Sequence, residues 1–412
     1  MQLKIRSFGK IKEADVPLEG LTVIAGENDT GKSTVGKLLF CIINELNNYA
    51  EDSEDYVLST CKNTLLTMWK YLARKEYDIP QELNAFIKAS KDFNEDFLFF
   101  DDIYEKLNID VRKLSIQTLE YVKNNNLSND DVLKDDYNLI DFLIHANTKA
   151  QLWLALRPKL NQIFKMNLNN SVHSDVKSKI SLSAYNSGTD VFSMSVENDK
   201  FAIDDFDEEK SKFIWKNVEL IESPLMIDSK YSSKIFEKKF LKEMYEDNVS
   251  YASSNLIQDI IDANIDIDKK NKSISYQKNN TAKKLDVLNV ASGAKSFIIL
   301  DFLQSLGIFS SDNITVFDEP ENHLHPKWQI EYAKLLVNFV QKGANVVLTS
   351  HSPYMIQALI HYAKKNNLPE DRFRLLFATK ESDNWSSIKD VTKNSDEVFK
   401  ILTKPFYDIF EG

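Results

Sequence analysis

Apolar and polar residues alternate along Leu3–Phe8 and again along Ile11–Val16, and a third apolar run covers Leu21–Ala25. A period of two puts side chains on opposite faces of a strand, so these runs predict three strands, with Gly9 and Gly20 supplying the turns. From Thr34 to Leu46 the pattern becomes helical. Residues 51–170 keep that period, for example at Leu65, Met68, Trp69 and Leu72, and hold few Gly or Pro. They predict several helices, broken at Pro80 and at Asn124-Asn125-Asn126, and starting at the acidic stretch Glu51-Asp52-Ser53-Glu54-Asp55. Alternation returns over 178–206 and predicts a hairpin turning at Asn186-Ser187-Gly188. A strand is expected over Asn217–Asp228, bounded by Ser223-Pro224. Helix is expected over 229–265, then a hairpin over Lys272–Val290 with its turn near Asn279-Asn280. A helix over Phe297–Leu306 and buried strands at Ile314–Phe317 and Asn345–Ser350 follow.

This pattern divides the chain into an N-lobe (1–50), a helical insertion (51–177), antiparallel strands returning to the N-lobe (178–228), a helical linker (229–271) and a C-lobe (272–412). No internal repeat or sustained heptad is present, which excludes a long coiled-coil arm. A length of 412 residues suits two or three packed units. At 43% hydrophobic and 27% charged, the composition is that of a soluble globular chain. No apolar run approaches the ~20 residues of a membrane span. Met1–Arg6 reads as a strand and not as a signal peptide, and Cys41 and Cys61 are too few for a disulfide framework, so a cytoplasmic chain is expected. The net charge of −11 disfavours a surface coated for nucleic acid. Lysines cluster at Lys234, Lys238, Lys239 and Lys242, and at Lys269, Lys270, Lys272, Lys278, Lys283 and Lys284. Both clusters read first as solvated faces, with an anionic partner such as DNA as the alternative.

The candidate chemistry lies in four segments. Gly26-Glu27-Asn28-Asp29-Thr30-Gly31-Lys32-Ser33 fits G-x-x-x-x-G-K-[ST] between a strand and a helix that continues through Thr34. In that setting backbone N–H groups cradle phosphates, Lys32 reaches the β- and γ-phosphates, and Ser33 ligates Mg²⁺. Ile314–Phe317 delivers Asp318 and Glu319 to a strand end, where ligand chemistry collects in open α/β sheets. Asp318 is the candidate Mg²⁺ ligand and Glu319 the candidate general base. Asn345–Ser350 delivers His351, which can sense a γ-phosphate by hydrogen bonding. Ala291-Ser292-Gly293-Ala294-Lys295-Ser296 opens a helix and forms a second anion site. Two subunits facing head to tail would let it cap the other's γ-phosphate.

These segments, in this order, resemble ATP-binding-cassette-type ATPases of the SMC, RecF and OLD (overcoming lysogenization defect) class. The resemblance covers roughly residues 1–48 and 272–380, beginning with Leu3–Ile11. Its most specific phrase is Asp318-Glu319-Pro320-Glu321-Asn322-His323-Leu324-His325-Pro326. It implies an α/β fold: a P-loop ATPase head with a mixed sheet, antiparallel N-terminal strands and a large helical insertion. It implies ATP and Mg²⁺, with Ser292, Gly293 and Lys295 in the signature segment and His351 as switch histidine. Asp29 stands where many relatives carry Gly, and Ala294-Lys295 replaces the commoner Gly-Glu or Gly-Gln. No lid-loop Gln can be assigned. Too few residues follow His351 for an OLD nuclease domain. The resemblance therefore implies a stand-alone, homodimeric or higher-order ATPase that gates a separate nuclease or toxin, as in Septu-like anti-phage systems. A RecF-like DNA-repair ATPase is the alternative. A transporter subunit is disfavoured by length and signature.

Overall fold

A computed structural model describes the chain except residues 76, 78–109, 166, 171, 174, 185–188, 213, 229–254, 269, 272, 280, 382–383 and 412. Met1–Asn47 with Pro158–Gly412 make one compact unit, and Asn48–Arg157 make the other.

The larger unit is built on an eleven-stranded sheet in the order β6-β5-β4-β1-β2-β14-β13-β3-β12-β11-β7. The strands are β1 (Gln2–Phe8), β2 (Ile11–Pro17), β3 (Leu21–Gly26), β4 (Ser178–Ser183), β5 (Asp190–Glu197), β6 (Lys200–Phe206), β7 (Asn217–Ile221), β11 (Asn313–Asp318), β12 (Asn345–Ser350), β13 (Phe373–Lys380) and β14 (Ser386–Asp390). From β7 to β13 all neighbours are parallel. Parallel strands are covered on both faces and read as continuous apolar runs. Accordingly β3 and β12 are buried at every position. From β6 to β2 the neighbours are antiparallel. β14 joins the two regions, antiparallel to β13 and parallel to β2.

Among the described residues the helices are α1 (Lys32–Arg74), α2 (Val111–Asn124), α3 (Lys134–Ile144), α4 (Thr148–Phe164), α5 (Glu208–Ser211), α6 (Asn255–Ile261), α7 (Ser292–Ser305), α8 (Pro326–Gln341), α9 (Pro353–Lys365) and α10 (Ser395–Glu411). α7 is buried from Gly293 to Leu303, and its Phe297 and Leu300 share one core with Val23, Phe317, Leu336, Leu348 and Met355. A helix apolar all round belongs inside a protein. A separate antiparallel sheet holds β8 (Ala263–Asp268), β9 (Ser273–Lys278) and β10 (Leu285–Asp286), with β9 in the middle.

The helical unit has its own core, in which Cys61, Leu65, Trp69 and Leu72 of α1 pack with Val122, Leu133 and Ile140. The Trp69 indole N–H donates to Thr118 Oγ1 at 3.0 Å, so the buried ring leaves no polar atom stranded.

Several boundaries differ from the sequence pattern. α1 runs unbroken through Glu51–Asp55. Acidic residues are compatible with a helix when their heads stay solvated. Here Ser53 returns its hydroxyl to Ala50 O, and Glu54 pairs with Arg112 at 2.6 Å. The helical unit runs over 48–157, not 51–177, and α4 carries Pro158 inside it. The 178–206 stretch holds three strands. Its second turn is Asn198-Asp199, both at positive φ, which suits a two-residue hairpin loop. The expected strand over Asn217–Asp228 ends at Ile221, and a 3-10 turn takes over at Pro224, whose nitrogen cannot donate. Of the helix expected over 229–265, residues 229–254 lie outside the described residues. Beyond them the helix covers only Asn255–Ile261, and the alternating Ala263–Asp268 is a strand. Pro80, Asn186–Gly188, Asn280 and the Lys234–Lys242 cluster also lie outside the described residues.

Cys41 and Cys61 are free, and burial pushes both thiols up. Of the second lysine cluster, Lys270, Lys278, Lys283 and Lys284 are exposed, and Lys284 pairs with Asp266. Among the described residues no helix is long and apolar enough to cross a membrane.

Candidate nucleotide site

The sheet order assembles the site. β11, β12 and β3 are consecutive parallel neighbours, so their C-terminal ends open on the same edge. Asp318 and Glu319 leave β11, His351 leaves β12, and Gly26–Gly31 leaves β3 into α1.

The loop after β3 depends on two glycines. Gly26 pairs with Ala378 of β13, and a Cβ there would meet Ala378 O at 2.6 Å. Gly31 has φ +84, and a Cβ would meet Ile11 of β2 at 2.8 Å. Asp29 adopts φ +66, which Asp tolerates, and its carboxylate pairs with Lys10. Thr30 Oγ1 donates to Glu27 O at 2.9 Å, and the N–H groups of Thr34 and Val35 both reach Gly31 O. α1 therefore starts within the loop, and the N–H groups of its first two residues, Lys32 and Ser33, are the ones a helix leaves without partners.

Lys32 is buried. Its Nζ donates to Glu27 O at 2.7 Å and lies 3.9 Å from Glu319 Oε1. Burial lowers its pKa, while Glu319, Asp318 and Glu321 oppose that. Ser33 Oγ donates to Asp318 Oδ1 at 2.9 Å, and Thr349 Oγ1 donates to the same oxygen. Burial pushes the Asp318 carboxyl up, and the two hydroxyls pull it back. A hydroxyl and a carboxylate in contact form an oxygen donor pair suited to a hard cation such as Mg²⁺.

Glu319 has φ +50, an uncommon conformation for a residue with a Cβ. Its N–H is fixed by Thr349, with the carbonyl and the hydroxyl each at 3.1 Å. His351 Nδ1 lies 3.3 Å from Glu319 Oε1 and 3.5 Å from Glu321 Oε1, close enough for an ion pair but without hydrogen-bond alignment. Contact with His351 lowers Glu319, and contact with Glu319 raises His351.

Glu321 was not singled out in the sequence, yet it organises the His351 loop. Its buried Oε1 accepts from Ser350 Oγ, His351 N and Ser352 N at 2.7, 2.8 and 3.2 Å. Burial holds its carboxyl above the usual range. An acid just after Asp-Glu-Pro was the available signal. Glu222, directly after β7, pairs with Lys37 of α1 at 2.9 Å. It shares a cavity of about 10 Å³, room for one water, with Asp318, Glu319, Ser296 and Tyr332.

A larger cavity of about 500 Å³ lies over the loop. Gly9, Lys10, Asn28 to Thr34, Asn169 and Glu319 line it. The structure thus brings together Lys32, Ser33, Asp318, Glu319 and His351. Ser292, Gly293 and Lys295 do not line that cavity. Ser292 is half-buried at the start of α7, while Lys295 is buried with its Nζ 3.5 Å from Leu288 O. Gly293 is enclosed by its own chain, since a Cβ would meet Trp328 at 2.9 Å and His323 O at 3.0 Å.

The His351–Glu319 pair makes stability depend on pH. A raised histidine contributes fully below its ordinary value of 6.5 and loses that contribution as pH climbs through the folded value. A lowered carboxylate contributes fully above its ordinary value of 4.5 and loses that as pH falls. The melting-temperature gap between wild type and His351→Ala is expected to be widest between these two values and to shrink as pH climbs above 6.5 through the raised value of the histidine. Both side chains are partly exposed, so the gap is small. A gap that stays flat across that range would refute the pair.

Solved structures similar to the chain include SMC head domains. They include the SmcHead bound to the C-winged helix domain of ScpA (11% identity, covering 96% of this chain and 98% of that one, TM-score 0.42). The SMC head domain from Thermotoga maritima matches at 11% identity, covering 95% and 98%, with a TM-score of 0.40. The Smc head domain with an extended coiled coil bound to the C-terminal domain of ScpA, derived from Pyrococcus furiosus, matches at 10% identity, covering 98% and 98%, with a TM-score of 0.36. A comparison with curated proteins returned no match. Residues 1–356 match the family described as the AAA ATPase domain, and the chain therefore belongs to that family.

Proposed function

We propose that the chain binds ATP with Mg²⁺ and hydrolyses it to ADP and phosphate. The observation that carries this is the convergence of Lys32, Ser33, Asp318, Glu319 and His351 at the ends of three adjacent parallel strands. Lys32 Nζ exchanges Glu27 O for phosphate oxygens. Ser33 and Asp318 hold the metal, which when bound neutralises charge on the phosphates. Glu319, kept ionised by His351, takes a proton from the attacking water as the terminal phosphoryl group leaves ADP. His351, fixed through Glu321, is placed to hydrogen-bond that phosphoryl group. The purified chain is expected to release phosphate from ATP only with Mg²⁺ present. Absence of ATP binding in the presence of Mg²⁺ would end this reading.

We propose further that the chain acts as a homodimer in which Ser292 of one subunit faces the nucleotide of the other. This is supported by the position of Ser292 at a helix N-terminus outside its own phosphate cavity. Because Gly293 is enclosed, Ser292 and the exposed Ala291 are the groups on offer. A separate effector, a nuclease or toxin in antiviral defence, would be gated by ATP-dependent closure, with the helical unit as its contact surface. DNA is less favoured as a partner, given the net charge of −11.

A further inference from the structure

The His351 ring is placed by its backbone. Its Nδ1 makes no aligned hydrogen bond among the described residues, so the chain from Ser350 to Ser352 decides where the ring sits. Glu321 holds that chain from one side. A second hold comes from α8. Gln329 is buried, its Oε1 accepts from Ser352 Oγ at 2.5 Å, and its Nε2 donates to Leu324 O at 3.0 Å. Leu324 O can only accept, so it takes the amide nitrogen and leaves the amide oxygen to the hydroxyl. Ser352 Oγ in turn accepts from Met355 N at 3.4 Å and caps α9.

Leu324 closes the turn that carries Glu319. Within that turn Asn322 N donates to Glu319 O at 3.0 Å, and Leu324 N donates to Glu321 O at 2.9 Å. One amide side chain therefore ties together the two loops whose acid and imidazole, Glu319 and His351, meet at 3.3 Å. Gln329 lines neither of the two cavities beside Glu319, so it does not touch the nucleotide.

We propose that Gln329 is a positioning residue for hydrolysis, which sets the His351 loop against the Glu319 turn and acts only through the place it gives His351. The proposal rests on the ATP-hydrolysis reading above.

Gln329→Met keeps the length of the side chain and removes both hydrogen bonds. It is expected to lower kcat for ATP about tenfold, the size of a lost buried hydrogen bond, with KM within about twofold of wild type. In a His351→Ala chain the same substitution is expected to cost less than about twofold, since nothing is left to position. A role confined to core packing would slow both backgrounds alike. Ser352→Ala breaks the link from its other end and asks for no new room. Its loss in kcat matches that of Gln329→Met, and the double variant is no slower than either alone. The proposal is overturned by an unchanged kcat in Gln329→Met, by an equal loss with and without His351, by additive losses with Ser352→Ala, or by wild-type turnover in His351→Ala. If Gln329→Met does not fold, Ser352→Ala with and without His351→Ala decides on the same terms. If the wild-type chain does not hydrolyse ATP with Mg²⁺, the reading above falls and the proposal with it. If it does and one of the overturning results appears, the positioning role falls alone.

Discussion

Glu319→Gln is expected to lower kcat for ATP by roughly 10²- to 10⁴-fold while leaving KM within a few fold of wild type. The amide keeps the shape of the carboxylate and removes its capacity to accept a proton. The backbone has no reason to move, because Glu319 N stays anchored to Thr349 by two bonds of 3.1 Å. Its φ of +50 goes with that backbone anchorage, which the carboxylate does not share. The variant should bind Mg²⁺-ATP and accumulate in the bound form. Steady-state hydrolysis beside equilibrium binding of ATP checks this. Wild-type turnover would remove Glu319 from the chemistry, and loss of Mg²⁺-dependent binding would move it into the metal site.

The second large effect belongs to Lys32. Lys32→Ala is expected to weaken ATP binding by roughly 10²-fold, the size of a lost charge-assisted hydrogen bond in a partly buried site. The loss has two parts. The phosphates lose a cation, and Asp318 and Glu319 lose the positive charge that now offsets them, 3.9 Å from Glu319. Both acids then repel an incoming triphosphate. Equilibrium binding of ATP, with circular dichroism to confirm folding, tests it. A variant that keeps both affinity and hydrolysis would displace the site from this loop.

The parts of the site legible in the sequence were those written within a few consecutive residues. Gly26–Ser33, Asp318-Glu319 and His351 each follow a short apolar run, and a buried parallel strand ending in a polar group is a local pattern. What could not be read was which strand lies beside which. Alternation along Ile180 and Met194 marks strands but carries no partner, so the wing from β6 to β2 could not be ordered in advance. Charge was also misread as punctuation at Glu51–Asp55, where Glu is a good helix former and α1 continues. Glu321 acts through contacts with Ser350–Ser352, which are not close in sequence, and its place just after Asp318-Glu319-Pro320 was its one local mark.

β3, which carries the phosphate loop, lies between β12 and β13. Gly20 at its start is joined to Asn345, 325 residues further on. A chain emerging from the ribosome therefore makes Gly26–Ser33 early, yet Val23 and Ile24 gain neighbouring strands only when the last fifth or so of the chain arrives. Closing so long a loop costs entropy before the sheet repays it, which slows the step. An N-terminal fragment with a complete phosphate loop has no folded place to hold it. Nucleotide affinity during synthesis or refolding is thus a late signal, reporting that the two ends of the chain have met.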